Sequence, residues 1–168
     1  VANVLMVNAD VEAADDTGNE LFDSFLKENG YDIKQNEIAL NDGLYVDPNG
    51  VGQENYYSYQ SVLTILEAGG ADIYFSDDGV YGLIQNIGLL KDLNEVLPKE
   101  VLEKYRDNLL YTTDQETCKS YPSAIKLSEN TWLSESKMYP DGCIVGVAFG
   151  AADEKMQQKL MLEILGEN

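Results

Sequence analysis

Histidine is absent from this sequence of 168 residues. Without it, Ser-His-Asp and Cys-His nucleophilic arrangements are excluded. The two cysteines, Cys118 and Cys143, form no CxxC pair, and no histidine completes a zinc site with them. Basic residues are scarce: 11 Lys and Arg stand against 30 Asp and Glu, a formal net charge of −19. Nucleic acids and anionic membrane surfaces are held through clusters of Lys and Arg, so this balance argues against both as partners. No apolar run approaches the ~18 residues of a membrane-spanning helix. Neither GxxxxGK-S/T nor GxGxxG occurs, so a nucleotide phosphate lacks its cradle and no cofactor is indicated. Proline is rare, at four residues, while 44% of the chain is hydrophobic, a globular rather than a disordered composition.

What is present alternates between strand and helix patterns. Val4 to Asn8 is an apolar run suited to a strand covered on both faces. Leu21, Phe22, Phe25 and Leu26 make a helical stripe stopped at Asn29-Gly30. Ile33 to Leu40 predicts a second strand, and residues 41–55 a mobile surface loop rich in turn formers. Tyr56, Tyr59, Val62, Leu63, Ile65 and Leu66 mark an amphipathic helix broken at Gly69-Gly70. In ADIYFSDDGVYGLIQNIGLL, residues 71–90, Ile73 to Phe75 form a short buried strand. Ser76, Asp77 and Asp78 then offer N-cap oxygens to a helix carrying Val80, Leu83, Ile84 and Ile87, with Gly88 as its stop. Two short helical pieces follow to about residue 110, with Pro98 at the first turn of the second. Residues 111–120 look like a loop or hairpin tip and residues 121–127 a strand. The stretch from 128 to 142 is irregular around Trp132. Cys143 to Phe149 is a last strand, and Asp153 to Leu165 a closing helix with Met156, Leu160, Met161 and Ile164 on one face.

This order predicts an α/β fold, a mostly parallel sheet with helices on both faces, whose late strands turn antiparallel. No internal repeat or linker divides it, so residues 1–168 are expected to form one domain. Val1 in place of an initiating Met suggests a processed product from which a leader or lipid-anchor segment has been removed. The cysteines leave two readings open. One is a disulfide closing a loop of about 26 residues and worth roughly 3 kcal/mol; the other is two free, half-buried thiols.

Candidate chemistry gathers at the carboxyl ends of the first and third strands, where an α/β sheet forms its ligand crevice. There Asn8, Ala9 and Asp10 are expected to face Ser76, Asp77 and Asp78. Each of these residues also has a plain structural use as a cap or solvated turn. Helix N-termini favour anions, but aspartates occupy both, so the rim favours polyols, amines or metal-bridged groups. Tyr56 and Tyr59 sit at core-edge spacing, whereas Tyr57 points away and is the candidate to stack on a ligand. Trp132 is a plug under a loop or a binding anchor. DVEAADDTGNE, residues 10–20, carries Asp10, Glu12, Asp15, Asp16 and Glu20, but Asp15 stands where a calcium loop needs its sixth-place glycine, so no metal is assigned.

The succession from residue 59 to 110, a helix ending EAGGADIYFSDD, a further helix, then GLLKDLNEVLPKEVLEKYRDNLL, resembles the first lobe of extracellular solute-binding proteins of the type II periplasmic-binding-protein fold. YPSAIKLSENTWLSE and CIVGVAFGAADEKMQQKLMLEIL are similar to phrases of small Gram-positive surface lipoproteins of that group. The resemblance implies an extracellular, lipid-anchored solute-binding module with a membrane transporter as partner, and it marks the same two loops as the contact edge. The chain departs from the family in length, having room for one lobe and its return strand where the family has two lobes that close on the ligand.

The expected function is therefore a non-catalytic binding domain for a small polar molecule. A second reading is a ligand-free interaction or structural domain that uses the crevice or a dimer interface for a protein partner. A third, a carboxylate-based hydrolase, has only the abundance of acids behind it.

Overall fold

Strand β1, Ala2–Val7, alternates its side chains between two hydrophobic layers. Val4 and Met6 enter one core, and Leu5 and Val7 the other, all at 1% exposure or less. A strand buried on both faces is what a continuous apolar run demands. The structure is a computed structural model that describes residues 1–168, apart from the side-chain surroundings of residues 17 and 18. After β1 come the single turn α1, Val11–Ala14, and the helix α2, Thr17–Glu28. Strand β2 is Ile38–Leu44, α3 is Gln53–Glu67, β3 is Ile73–Ser76 and α4 is Asp78–Ile84. Next are α5, Leu93–Val96, α6, Lys99–Lys104, and a 3₁₀ turn at Arg106–Asn108. Strands β4, Leu109–Thr113, and β5, Ser120–Leu127, lead to α7, Thr131–Ser136, then β6, Cys143–Val147, and α8, Glu154–Leu165.

The strands form one six-stranded sheet in the order β2-β1-β3-β6-β5-β4. Helices cover both faces. Phe22, Phe25 and Leu26 of α2, Trp132 of α7 and Leu160 of α8 fill one core; Val62 and Leu66 of α3 and Val80 and Ile84 of α4 fill the other. The α/β class with two covered faces stands, but the mostly parallel sheet does not. β1 pairs parallel with β2 and β3, while β3-β6, β6-β5 and β5-β4 are antiparallel, three of the five pairings. Connection length accounts for the β4-β5 pairing. Helical crossovers carry the chain back between β1, β2 and β3, but only residues 114–119 join β4 to β5, too few for a parallel return.

Four local expectations change. β2 begins at Ile38 rather than Ile33, because Asp32 folds residues 32–36 into a turn, its carboxylate taking Lys34 N–H and its carbonyl the N–H groups of Gln35 and Asn36. Helix α4 ends at Ile84, leaving Leu83 and Ile87 half exposed before Gly88 turns the chain at φ 80°. β4 replaces the expected helix end and loop start. The irregular stretch contains α7, started by Asn130, whose side chain accepts Leu133 N–H, and ended by Lys137 at φ 58°. Its Trp132 stacks on Phe75 with ring centres 5.2 Å apart and lies 5.7 Å from Phe22, so it is the core plug. Cys118 is an exposed thiol and Cys143 a buried one, with no disulfide between them.

Candidate functional site

Asn8 ends β1 in the left-handed region, at φ 59°, a conformation asparagine tolerates better than most residues. The twist turns its side chain across the sheet. Asn8 Nδ2 donates to the Val46 carbonyl at 2.7 Å and to Asp77 Oδ2 at 2.8 Å, while its Oδ1 accepts Val46 N–H at 2.7 Å. One side chain thus ties the carboxyl ends of β1 and β3 to the residues just past β2. Asp77 in turn caps α4, its Oδ1 accepting Val80 N–H at 3.0 Å. Ser76 is fully buried and donates to the Asp77 carbonyl.

The other candidates have different commitments. Asp10 caps α1 through Ala13 N–H, and its own N–H is held by the Met138 carbonyl. Asp78 is exposed and pairs with Lys126 Nζ at 2.6 Å. Tyr57 is exposed, takes a hydrogen bond from Gln53 and lies 5.9 Å from the ring of Tyr56. Tyr56 is itself 58% exposed, so of the two expected core-edge tyrosines only Tyr59 packs against the core. Neither Tyr57 nor Asp10 lines the two clefts that flank Asn8 and Asp77.

The larger of those clefts, about 510 Å³, is lined by Asn8, Tyr45, Val46, Asp47, Glu54, Asn55 and Ser58. Its wall is a loop held by hydrogen bonds of its own. Asn55 accepts Asp47 N–H and donates to the carbonyls of Asp47 and Gly50, and Asp47 Oδ1 accepts Asn49 N–H. Tyr45 hydroxyl donates to the Ala9 carbonyl at 3.0 Å and closes the side toward β1. Two carboxylates, Asp47 and Glu54, line this cleft without a cation. The smaller cleft, about 220 Å³, holds Asp77, Asp78 and Asp141 around the single cation Lys126. Both therefore favour cationic or hydroxyl-rich ligands over anions. Among the described residues no three Asp, Glu or Cys side chains converge as a metal site.

Two phenols lie behind the rim. Tyr139 donates to the Val7 carbonyl at 2.8 Å, and burial holds its hydroxyl well above the usual tyrosine range. Tyr74 is also pushed up by burial, with Asp77 adding to the rise. Its hydroxyl is the one buried side-chain polar atom without a hydrogen-bond partner among the described residues. Neither phenol is disposed to ionise as a base near neutral pH.

Sequence reasoning found the Asn8–Asp77 meeting but missed Tyr45, Asp47, Glu54, Asn55 and Ser58. The signal was present: β2 is a parallel strand, so its carboxyl end shares the rim, and DPNG after it is a turn with its own Asx bond. Ending that strand at Leu40, four residues before its observed end, hid the connection. Among the described residues no helix is long and apolar enough to cross a membrane. No protein-family model matches the chain, and no curated protein or solved structure matches it significantly.

Proposed function

We propose that the chain is a non-catalytic extracellular binding domain, comparable to one lobe of a solute-binding protein, and that it takes a small polyol or amine in the cleft beside Asn8. One observation carries the reading. Asn8 fixes three strand ends into one rim, and an acid-lined cleft of about 510 Å³ opens there, within the ~300–1,000 Å³ of small-molecule sites. The parallel trio β2-β1-β3 followed by the antiparallel return strand β6 supports the single-lobe comparison. Asp47 and Glu54 supply acceptors for ammonium or hydroxyl groups, and Tyr45 an aromatic wall. A membrane transporter is the partner that reading implies.

A second reading, an interaction domain that holds a protein partner on this rim, is favoured by a different observation. Asn8, Asp10, Ser76, Asp77 and Asp78 each already bond within the chain. A surface whose polar groups are satisfied in advance is as fit for a partner as for a solute.

A thermal-shift screen of sugars, amines and amino acids, run beside gel filtration, separates the two. Under the first reading at least one compound raises Tm by several degrees, and the rise disappears in Asp47→Asn/Glu54→Gln. A stable dimer with no compound raising Tm would overturn the solute reading and favour the second.

A further inference from the structure

The opposite end of the sheet holds a further cleft, about 450 Å³, that the rim reading does not use. It is lined by Lys91, Glu95, Val96, Phe149, Glu154 and Gln157, among others. We propose that it binds an α-amino acid with an apolar side chain: the carboxylate on Lys91, the ammonium on Glu95 and Glu154, and the side chain on Phe149 and Val96.

Lys91 is held from both its main chain and its side chain. Its N–H bonds the Val147 carbonyl at 2.7 Å, and a bridge between Leu90 and Ala148 fixes the preceding residue. Its ammonium donates to Gln157 Oε1 at 2.8 Å and lies 5.8 Å from the centre of the Phe149 ring. Gln157 is 1% exposed and is itself fixed, its Nε2 lying 3.0 Å from Oδ1 of Asp72, which is wholly buried. Asp72 is anchored by the N–H groups of Asn3 and Ala152. Gly150 has to remain small here, because a Cβ would meet Asp72 Oδ1 at 2.1 Å.

The charge pattern makes this frame a receptor. In a chain with 30 acids and 11 bases, Lys91 has no carboxylate within 4 Å among the described residues. An ammonium has three donors and Gln157 takes one, leaving two for a ligand carboxylate. Glu95 and Glu154 line the same cleft, and neither side-chain carboxylate makes a hydrogen bond or ion pair among the described residues, so both are open to a ligand ammonium. Phe149, 54% exposed, and Val96 form the apolar shelf. The lining also carries Lys155 and Asp92, the latter already accepting Asn94 N–H. The fixed ammonium of Lys91, the carboxylates of Glu95 and Glu154 and the aromatic surface match the three parts of an apolar amino acid.

The test is an NMR titration of the isotope-labelled protein with L-phenylalanine, with 3-phenylpropionate and phenethylamine as the arms lacking the ammonium and the carboxylate. Saturable shifts at Lys91, Phe149 and the Gln157 side-chain amide are expected with phenylalanine. Binding of 3-phenylpropionate should be weaker by on the order of tenfold, and phenethylamine should leave these signals unmoved. Lys91→Met, which keeps the aliphatic stem, should raise Kd for phenylalanine by about tenfold or more. Should that variant fail to fold, Glu95→Gln/Glu154→Gln carries the test by erasing the preference for phenylalanine over 3-phenylpropionate. The proposal is overturned by the absence of saturable shifts, by equal response to phenethylamine, or by an unchanged Kd in the variants. Shifts confined to Asn8 and Asp47 would overturn it too while supporting the rim site, so the two readings fail separately.

Discussion

Trp132 shows what one residue does in this fold. It lies under α7 between Phe75 of the sheet and Phe22 of α2, so removing it opens a cavity between three elements. Truncating a buried aromatic of this size costs about 3–5 kcal/mol. Trp132→Ala should therefore lower the urea midpoint severely, and a change under about 1 kcal/mol would show that the site refills. The two thiols are opposites. Cys118 is exposed, and burial pushes the Cys143 thiol up to about 12. A thiol reagent should thus label one cysteine in the native protein near neutral pH and the second only after unfolding; two fast-reacting thiols would refute the buried placement. The sign of the stability effect follows. Burial favours the neutral thiol, so its stabilisation is whole below the ordinary thiol value of 9.0 and is lost as pH rises toward about 12. Tyr74, Tyr81 and Tyr139, all raised by burial, weaken the fold in the same direction at alkaline pH.

At the scale of elements, β5 carries a proline where a ladder partner is due. Pro122 stands opposite Tyr111 of β4 and has no N–H to give. Gln85, just past α4, donates its Nε2 to the Tyr111 carbonyl at 2.8 Å, and Asn86 accepts Thr113 N–H. These contacts occupy backbone groups of an edge strand that would otherwise template association. Gln85→Ala should cost about 1 kcal/mol in denaturant unfolding; no loss would mean that water replaces the bond freely. The same segment marks where sequence reading stops. β1, β3, β6, α3 and α8 were legible because dense apolar runs or a clean helical stripe left one solution. β4 was not, because LLYTT follows a helical phrase and reveals itself as a strand only through its hairpin partner. β2 was misplaced because Asn41-Asp42-Gly43 has turn chemistry, yet an edge strand tolerates it. At the site, Asn8 and Asp77 could be paired from topology alone. The cleft residues of 45–58 could not, because they reach the rim only through the true end of β2.

At the scale of the molecule, the net charge of −19 is spread over a surface with few compensating contacts. Three ion pairs occur among the described residues, Lys104–Glu167, Arg106–Glu103 and Lys126–Asp78, each with at least one exposed side chain. Surface pairs contribute little, so salt loses little by screening them and gains by damping the repulsion among acids. Tm should rise as NaCl goes from ~10 mM to ~500 mM, and a fall would mean that ion pairs outweigh self-repulsion. The functional account rests on a narrower feature, the Asn8 side chain that joins three strand ends at one rim. A double-mutant cycle on Asn8→Ala and Asp77→Ala, read by urea unfolding, tests it most directly. The expected result is a coupling energy of about 1 kcal/mol or more between the two residues. Additivity within about 0.3 kcal/mol would contradict the shared rim.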